Sequence, residues 1–145
     1  MLIRRVVAGL HIVLALAHVY WATGATWPAS DEREMSLAVL GMALDFSPQV
    51  VLPLAAFHLM IAWCVLRIDR SRLSRLVVAA VALGASARAL LGVVWVFTSD
   101  AGPAFFWLNL LAYTPACVLL ALADLHLVRA SASPTSTSRV ETILR

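Results

Sequence analysis

The sequence contains no lysine and few charged residues of either sign. All eleven basic side chains among its 145 residues are arginine, and charged residues make up only 13% of the chain. Ordinary soluble domains carry about twice that share, roughly a quarter. The arginines lie in short clusters between long apolar runs and form no continuous basic surface, so no nucleic-acid partner is expected. The pattern excludes an ordinary soluble domain.

Cysteine is nearly absent as well. Cys64 and Cys117 lie in different apolar runs, and no C-x-x-C pair occurs. This excludes the thiol–disulfide chemistry of vitamin K epoxide reductase type four-helix proteins, and it predicts two buried, inert thiols. No metal or other cofactor is predicted.

Most of the chain is hydrophobic. Hydrophobic residues make up 62% of the chain, and the mean hydropathy is +0.90. A membrane-spanning helix needs about 20 apolar residues, and four runs approach or exceed that length. An unpaired backbone polar group in lipid costs several kcal/mol, so these runs are predicted to be helices. The runs comprise residues 6–22, 50–66, 76–97 and 105–128.

The predicted fold class is therefore all-α, a four-helix transmembrane bundle within residues 1–129. The Ser-, Thr- and Pro-containing segment 130–145 is expected to be a disordered cytoplasmic tail. A cleaved signal peptide is the alternative for the first run. The bulky Tyr20 and Trp21 argue against it, because they lie where a cleavage site needs small residues.

The arginines predict the orientation of the bundle. If the four helices alternate in direction, nine arginines fall on one side and only Arg33 on the other, with Arg88 inside a span. Arginine-rich loops face the cytoplasm. Both termini are therefore predicted to be cytoplasmic, and the protein is expected to be a multi-pass protein of the inner (cytoplasmic) membrane.

A further helix is predicted on the outer surface, within residues 31–46. Apolar residues recur there at helical spacing, and Asp31 and Glu34 are placed like a capping box. The segment is too short and too charged to span the membrane. It is expected to lie on the outer interface.

Polar side chains inside the spans are the candidate functional residues, because lipid makes them costly. We expect an outer-half polar cavity lined by residues at similar depth, namely His18, His58, Arg88, Asn109 and Tyr113. His11 lies on the same helix face as His18 but is expected only to form an interhelical hydrogen bond.

Arg88 cannot lose its proton, and no carboxylate lies at its depth in another span. Asp45 or Asp100 is therefore expected to fold in from the outer side to meet it. The alternative is a structural arginine bound to helix-end carbonyls. Trp95 lies seven residues from Arg88 on the same face, and an aromatic wall beside a proton donor suits a reaction with cationic character.

Three segments resemble a known family. Residues 18–24 (HVYWATG), 86–89 (SARA) and 113–117 (YTPAC) are similar to the signatures H-x-Y-W-A-x-G-G, R-A followed by Gly, and Y-S-P-x-C of the small four-helix bacterial membrane proteins called DUF3995. The resemblance covers all four spans. It departs from the pattern at Ala25, at Thr114 and at the apolar pair Val93-Val94, where the family tends to have polar residues. It implies the fold and marks a set of matching positions, but it supplies no reaction. These positions are His18, Tyr20, Trp21, Arg88, Tyr113 and Cys117.

Two classes of function are predicted. The first is a membrane-embedded terpene cyclase or isomerase, which acts on a prenyl, terpenoid or sterol-like substrate by acid-initiated cyclisation or isomerisation. Its catalytic residues would come from His18, His58, Arg88, Asp45 and Asp100, and its substrate would contact Tyr20, Trp21, Trp95, Asn109 and Tyr113.

The alternative is a non-catalytic small membrane subunit or lipid-binding partner protein, in which the arginine and histidines fasten helices together. A haem bundle using His18 and His58 is a third hypothesis. The expected partners are the lipid bilayer and a lipophilic small molecule, and a second copy of the chain or another membrane protein is left open.

Overall fold

Each of the four apolar runs forms a long helix. The computed structural model of the protein describes residues 1–27 and 29–132, and every regular element in that part of the chain is helical. The helices are α1 (Leu2–Ala22), α2 (Glu32–Leu40), α3 (Pro48–Leu66), α4 (Arg72–Thr98), α5 (Pro103–Leu108) and α6 (Thr114–Ala132). A π-helical turn, Asn109–Tyr113, joins α5 to α6 in one continuous rod.

Four of these helical rods are long and apolar enough to cross a membrane: α1, α3, α4 and the combined rod Pro103–Ala132. Their outer faces expose large apolar side chains such as Leu83, Leu90 and Leu111. Exposing such a surface to water would be energetically unfavourable, whereas lipid chains can cover it. The predicted all-α bundle is confirmed, and the chain is a multi-pass membrane protein whose partner is the bilayer.

The spans pack as two antiparallel pairs. α1 packs along α3 and α4 along α6, whereas contacts between the two pairs are fewer. Small side chains lie at the α1–α3 contact, with Ala8 and Ala15 buried on α1 and Ala55 and Ala62 on α3. Small residues let helix backbones approach closely, which is how helices associate in lipid.

Arginines from distant parts of the chain meet at one end of the bundle, which we call the Arg-rich end. Arg4 at the start of α1 forms an ion pair with Asp69 in the turn after α3, with 2.6 Å between Nη2 and Oδ2. Arg75 Nη1 donates to the Ser131 carbonyl near the end of α6, at 3.4 Å. The arginines therefore cluster at one end, and the cytoplasmic location of that end remains a prediction.

The opposite end carries α2, and we call it the α2 end. The Asp31 side chain caps α2 by accepting the Glu34 N–H at 2.8 Å, as the capping-box pattern predicts. Met35 packs with Phe46 and Val51 in an apolar cluster at the start of α3. α2 is thus held on the end of the bundle, and its bounds are narrower than the predicted 31–46.

Other helix boundaries also differ from prediction. α1 and α4 begin four residues before the apolar runs, because arginine stems extend along apolar surface while their charges reach water. α6 continues to Ala132, so residues 130–132 of the expected tail are helical. The rest of that tail, 133–145, lies outside the described residues.

Candidate functional site

Three histidines meet between α1 and α3, and we call them the histidine stack: His11, His18 and His58. His11 Nδ1 lies 3.1 Å from His58 Nδ1, which is hydrogen-bond distance. The ring centroids of His18 and His58 are 5.2 Å apart, and those of His11 and His58 are 5.3 Å apart. The stack therefore runs along the α1–α3 contact with His58 between the two α1 histidines.

The periodicity of both helices explains this arrangement. His11 and His18 are seven residues apart, so they share one face of α1. On α3, His58 lies between the buried residues Ala55 and Ala62, three and four residues away on the same stripe. The close contact of small side chains brings that stripe against α1, and the three imidazoles fill the space between the two backbones.

His18 occupies the end of the stack nearest α2. Its Nδ1 lies 2.7 Å from the Leu14 carbonyl, and because a carbonyl only accepts, this nitrogen carries the proton. The Trp21 ring packs edge-on against the imidazole, with centroids 5.5 Å apart, and contacts Phe46 on its other side. In a neutral ring the remaining nitrogen, Nε2, is then an acceptor.

A second polar group joins α4 to the last span, and we call it the arginine–asparagine cluster: Arg88, Gly92, Asn109 and Thr114. Asn109 Oδ1 accepts from Arg88 Nη1 and from Thr114 Oγ1, each at 3.2 Å. Asn109 Nδ2 donates to the Gly92 carbonyl at 2.7 Å. One buried amide thus satisfies three groups on two helices.

Small residues on α4 make room for this cluster. The buried stripe of α4 contains Ser74, Ala82, Ala85, Ala89 and Gly92, so the helix approaches α6 closely. At Gly92 the space is full: a Cβ atom would collide with Thr114 Oγ1 and lie 3.0 Å from Arg88 Nη1. Only glycine fits this position without rearrangement.

Asn109 begins the π-helical turn, and Pro115 accounts for it. Proline has no N–H, and its ring would clash with the carbonyl of Leu111 in a regular α-helix. The Thr114 N–H instead bonds the Asn109 carbonyl, five residues back. π-turns of this kind occur often at functional sites.

Arg88 has no carboxylate partner among the described residues. Its guanidinium faces the Asn109 amide and the Trp95 ring, with 4.8 Å between Cζ and the ring centroid. Dipoles and an aromatic face stabilise the permanent charge here. The sequence predicted that Asp45 or Asp100 would meet Arg88. In the structure neither carboxylate contacts the guanidinium.

Those two carboxylates lie in loops at the α2 end. Asp45 is exposed, and its Oδ1 accepts the Ser47 N–H at 2.7 Å. Hydrogen bonds from the Ser47 side chain and backbone hold the pKa of Asp45 below its ordinary value. Asp100 is exposed in the turn between α4 and α5.

The predicted site residues therefore separate into two groups on different helix pairs. His18, His58 and Trp21 belong to the histidine stack, and Tyr20 is exposed beside Trp21. Arg88, Trp95 and Asn109 belong to the other cluster, and Tyr113 is half-buried in its π-turn.

Neither of two clefts in the described chain is lined by the residues of the expected polar cavity. One, of about 490 Å³, lies between α2 and the start of α5. The other, of about 320 Å³, is an apolar groove between α4 and α6. A single outer-half cavity shared by both clusters is not seen there.

Sequence reasoning missed several residues. The interhelical hydrogen bond expected of His11 is confirmed by its contact with His58, but the stacking of the three histidine rings was not predicted. Gly92 and Thr114 carry no signal beyond the family resemblance. Asp124 was not singled out, although a carboxylate inside an apolar run is itself a signal.

The haem hypothesis does not fit the stack. It requires His18 and His58 on opposite faces of a porphyrin. Their rings are 5.2 Å apart and tilted by 41°, which leaves no room for the macrocycle between them. Within residues 1–27 and 29–132, no group of three or more His, Cys, Asp or Glu side chains is arranged to hold a metal ion.

Comparison with known proteins supports one assignment. A family model described as a protein of unknown function (DUF3995) matches residues 11–123, which is more than half of the chain. No curated protein and no solved structure matches. The matched segment includes the histidine stack and the arginine–asparagine cluster, and it ends one residue before Asp124. The chain belongs to the DUF3995 family of proteins.

Proposed function

We propose that the protein is an enzyme of the inner membrane that transfers a proton to a lipophilic substrate. The reaction would be the acid-initiated isomerisation or cyclisation of a prenyl, terpenoid or sterol-like chain. The observation that carries the proposal is the histidine stack, a row of contacting imidazoles inside an apolar bundle with an indole at its end. Polar side chains are costly in lipid, and ionisable ones within spans are functional candidates.

His18 is the proposed acid. Its Nδ1–H is engaged by the Leu14 carbonyl, so the protonated ring presents Nε2–H to a substrate. The side chain is half-buried, which leaves it open to a lipid chain beside α1. His58 and His11 lie behind it in the stack.

The chemical step balances without an oxidant or reductant. Protonated His18 gives its Nε2 proton to an alkene carbon or an epoxide oxygen of the substrate, and the ring becomes neutral. The resulting cation loses a proton from a neighbouring carbon, either at once or after ring closure has moved the charge to another carbon, and that proton returns to the imidazole. The Trp21 ring beside His18 would stabilise the positive charge while it develops.

The arginine–asparagine cluster supplies no acid in this proposal. Arg88 cannot give up a proton, and its contacts with Asn109 and Trp95 use the groups that were expected to bind substrate. These contacts support a fastening role between α4 and α6.

Deuterium transfer tests the proposal. The protein in lipid nanodiscs is incubated in D2O with a prenylated alkene and a prenylated epoxide, and products are analysed by mass spectrometry. We expect carbon-bound deuterium in a rearranged product from the alkene, and a ring-closed product of unchanged mass from the epoxide. His18→Asn should abolish both, because the amide replaces the nitrogen that faces Leu14 but not Nε2. His126→Asn, an exposed histidine on α6, is the matched control and should remain active.

The second candidate function is a non-catalytic subunit or lipid-binding partner. The observation that favours it is the arginine–asparagine cluster, in which Asn109 satisfies groups on both helices as a structural fastening would. Equal turnover by wild type and His18→Asn, or no turnover of either substrate by wild type, would favour this candidate over the enzyme.

A further inference from the structure

Asp124 is a buried carboxylate that neither cluster uses. It lies on α6 with 0% of its surface exposed. Among the described residues, neither of its carboxylate oxygens has a hydrogen-bond partner. Carboxylates inside membrane spans are rare and mark substrate or ion pathways and proton relays. The residue therefore requires a functional explanation.

His11 has a matching unpartnered atom. Its side chain is 1% exposed, and its Nδ1 faces His58 while its Nε2 has no partner in the described chain. The ring therefore has one nitrogen in the histidine stack and one directed away from it.

Helix register puts Asp124 and His11 at the same depth. Leu127 of α6 and Ala8 of α1 belong to one apolar cluster in the bundle core. Asp124 lies three residues before Leu127, and His11 lies three residues after Ala8. Since the two helices run in opposite directions, both side chains lie one turn from that cluster toward the α2 end. Both are on the buried faces of their helices.

We infer that Asp124 and the histidine stack form one proton pathway through the bundle. The Asp124 carboxylic acid gives its proton to His11 Nε2 through water admitted between α1 and α6. His11 passes its Nδ1 proton to His58 Nδ1, and His58 passes one to His18. Asp124 is reprotonated from the Arg-rich end, and His18 releases a proton at the α2 end. His11 and His58 each receive a proton on one ring nitrogen and release one from the other, so both rings exchange tautomers before the next proton passes. The inference does not depend on a lipid substrate, since a proton pathway acts with or without one.

The pathway covers a substantial depth. His11 and His18 are seven residues apart on α1, which corresponds to about 10 Å along the helix. His18 lies within about one helical turn of Ala22, the last residue of α1 at the α2 end. On the other side of Asp124, the apolar residues Leu127, Ile68 and Val7 separate it from the Arg-rich end. Such an apolar layer conducts only when it is wetted, so slow, gated proton movement is expected rather than channel-like flux.

Other titratable groups lie on the elements near Asp124, beginning with the exposed His126 two residues along α6. α3 contributes the buried Cys64, from the same apolar cluster. Toward the Arg-rich end, α1 contributes Arg4, which is paired with Asp69, and α4 contributes Arg75, which binds the Ser131 carbonyl. Helix register and burial therefore assign His11 to Asp124 as the protonatable acceptor on a neighbouring helix.

Proton flux in liposomes tests the inference. The full chain is reconstituted in vesicles that contain a pH-sensitive dye, and a potassium diffusion potential set with valinomycin drives protons inward. We expect wild type to acidify the lumen faster than protein-free vesicles. Asp124→Asn, which keeps the size and removes the acid, should reduce the rate to the protein-free level. His11→Asn should do the same, because it keeps an N–H toward His58 and removes Nε2.

Asp69→Asn is the matched control, since it removes a carboxylate that lies outside the pathway. It should conduct like wild type. Circular dichroism and monodisperse elution establish that each variant is folded. If Asp124→Asn does not fold, the comparison uses His11→Asn as the variant that blocks the pathway. Asp124→Glu keeps the acid and should retain flux. The inference is overturned if wild type conducts no faster than empty vesicles, or if folded Asp124→Asn conducts like wild type. Neither result bears on turnover of a lipid substrate, which is measured separately.

Discussion

Replacing Gly92 by alanine tests whether the arginine–asparagine cluster fastens α4 to α6. The added Cβ would collide with Thr114 Oγ1 and would lie 3.0 Å from Arg88 Nη1 and 3.1 Å from Asn109 Oδ1. Thr114 is the first residue of α6 and lies within the continuous rod packed on α4, so its backbone cannot move away without separating the helices. The methyl group therefore displaces the Asn109 amide from its partners.

The expected cost follows from the contacts that are lost. Asn109 takes part in three hydrogen bonds, and at about 0.6 kcal/mol each inside a membrane protein these contribute about 2 kcal/mol. Overpacking adds about 1–3 kcal/mol. The better helix propensity of alanine offsets about 1 kcal/mol. The net loss in the free energy of unfolding should be about 2–4 kcal/mol.

Unfolding by denaturing detergent, followed by tryptophan fluorescence, measures this difference. Gly84→Ala is the matched control on the same helix, because a Cβ there has no atom within 4 Å. It should be as stable as wild type or slightly more stable. Equal stability of the two alanine variants would refute the reasoning and remove the fastening role of the cluster.

Three further predictions concern the polar groups and the orientation. Asn109→Ala should destabilise the protein by about 1–3 kcal/mol in the same assay, because Arg88 loses its acceptor. Asn109→Asp keeps an acceptor, so its free energy of unfolding should stay closer to that of wild type. The folded-state pKa of Asp45 is depressed, so its contribution to stability is complete above its ordinary value of 3.8 and disappears as the pH falls through the depressed pKa. Amide exchange at Ser47 as a function of pH should follow that titration, and Asp45→Asn should remove it. A cysteine at Ser136→Cys should be labelled only from the cytoplasmic side, and labelling only from outside would overturn the predicted orientation.

Hydropathy was sufficient to predict the four spans, because a bilayer imposes length and composition on any helix that crosses it. The capping residues of α2 could also be predicted, since the hydrogen bond between Asp31 and Glu34 lies within one turn. Both features are local. They depend on neighbours in the sequence and not on which helix packs against which.

The sequence did not predict in the same way which polar residues share a cluster. Residues at similar depth were expected to share one cavity, but depth does not specify helix pairing or rotation. α1 pairs with α3 and α4 with α6, which places His58 and Arg88 in separate clusters. Asn109 replaces the expected carboxylate beside Arg88, because a neutral amide satisfies the guanidinium without a second buried charge.

The histidine stack, in which His11 and His58 are hydrogen-bonded and His18 contacts the His58 ring, underlies both proposals, and nitrogen NMR tests it most directly. Protein with ¹⁵N-labelled histidine is placed in lipid bilayers, and solid-state spectra report which ring nitrogens carry protons, with His126 as the fourth, exposed reference. We expect His18 to carry its proton on Nδ1, and a proton to be shared between the Nδ1 atoms of His11 and His58. A bare His18 Nδ1, together with no coupling between His11 and His58, would contradict the account.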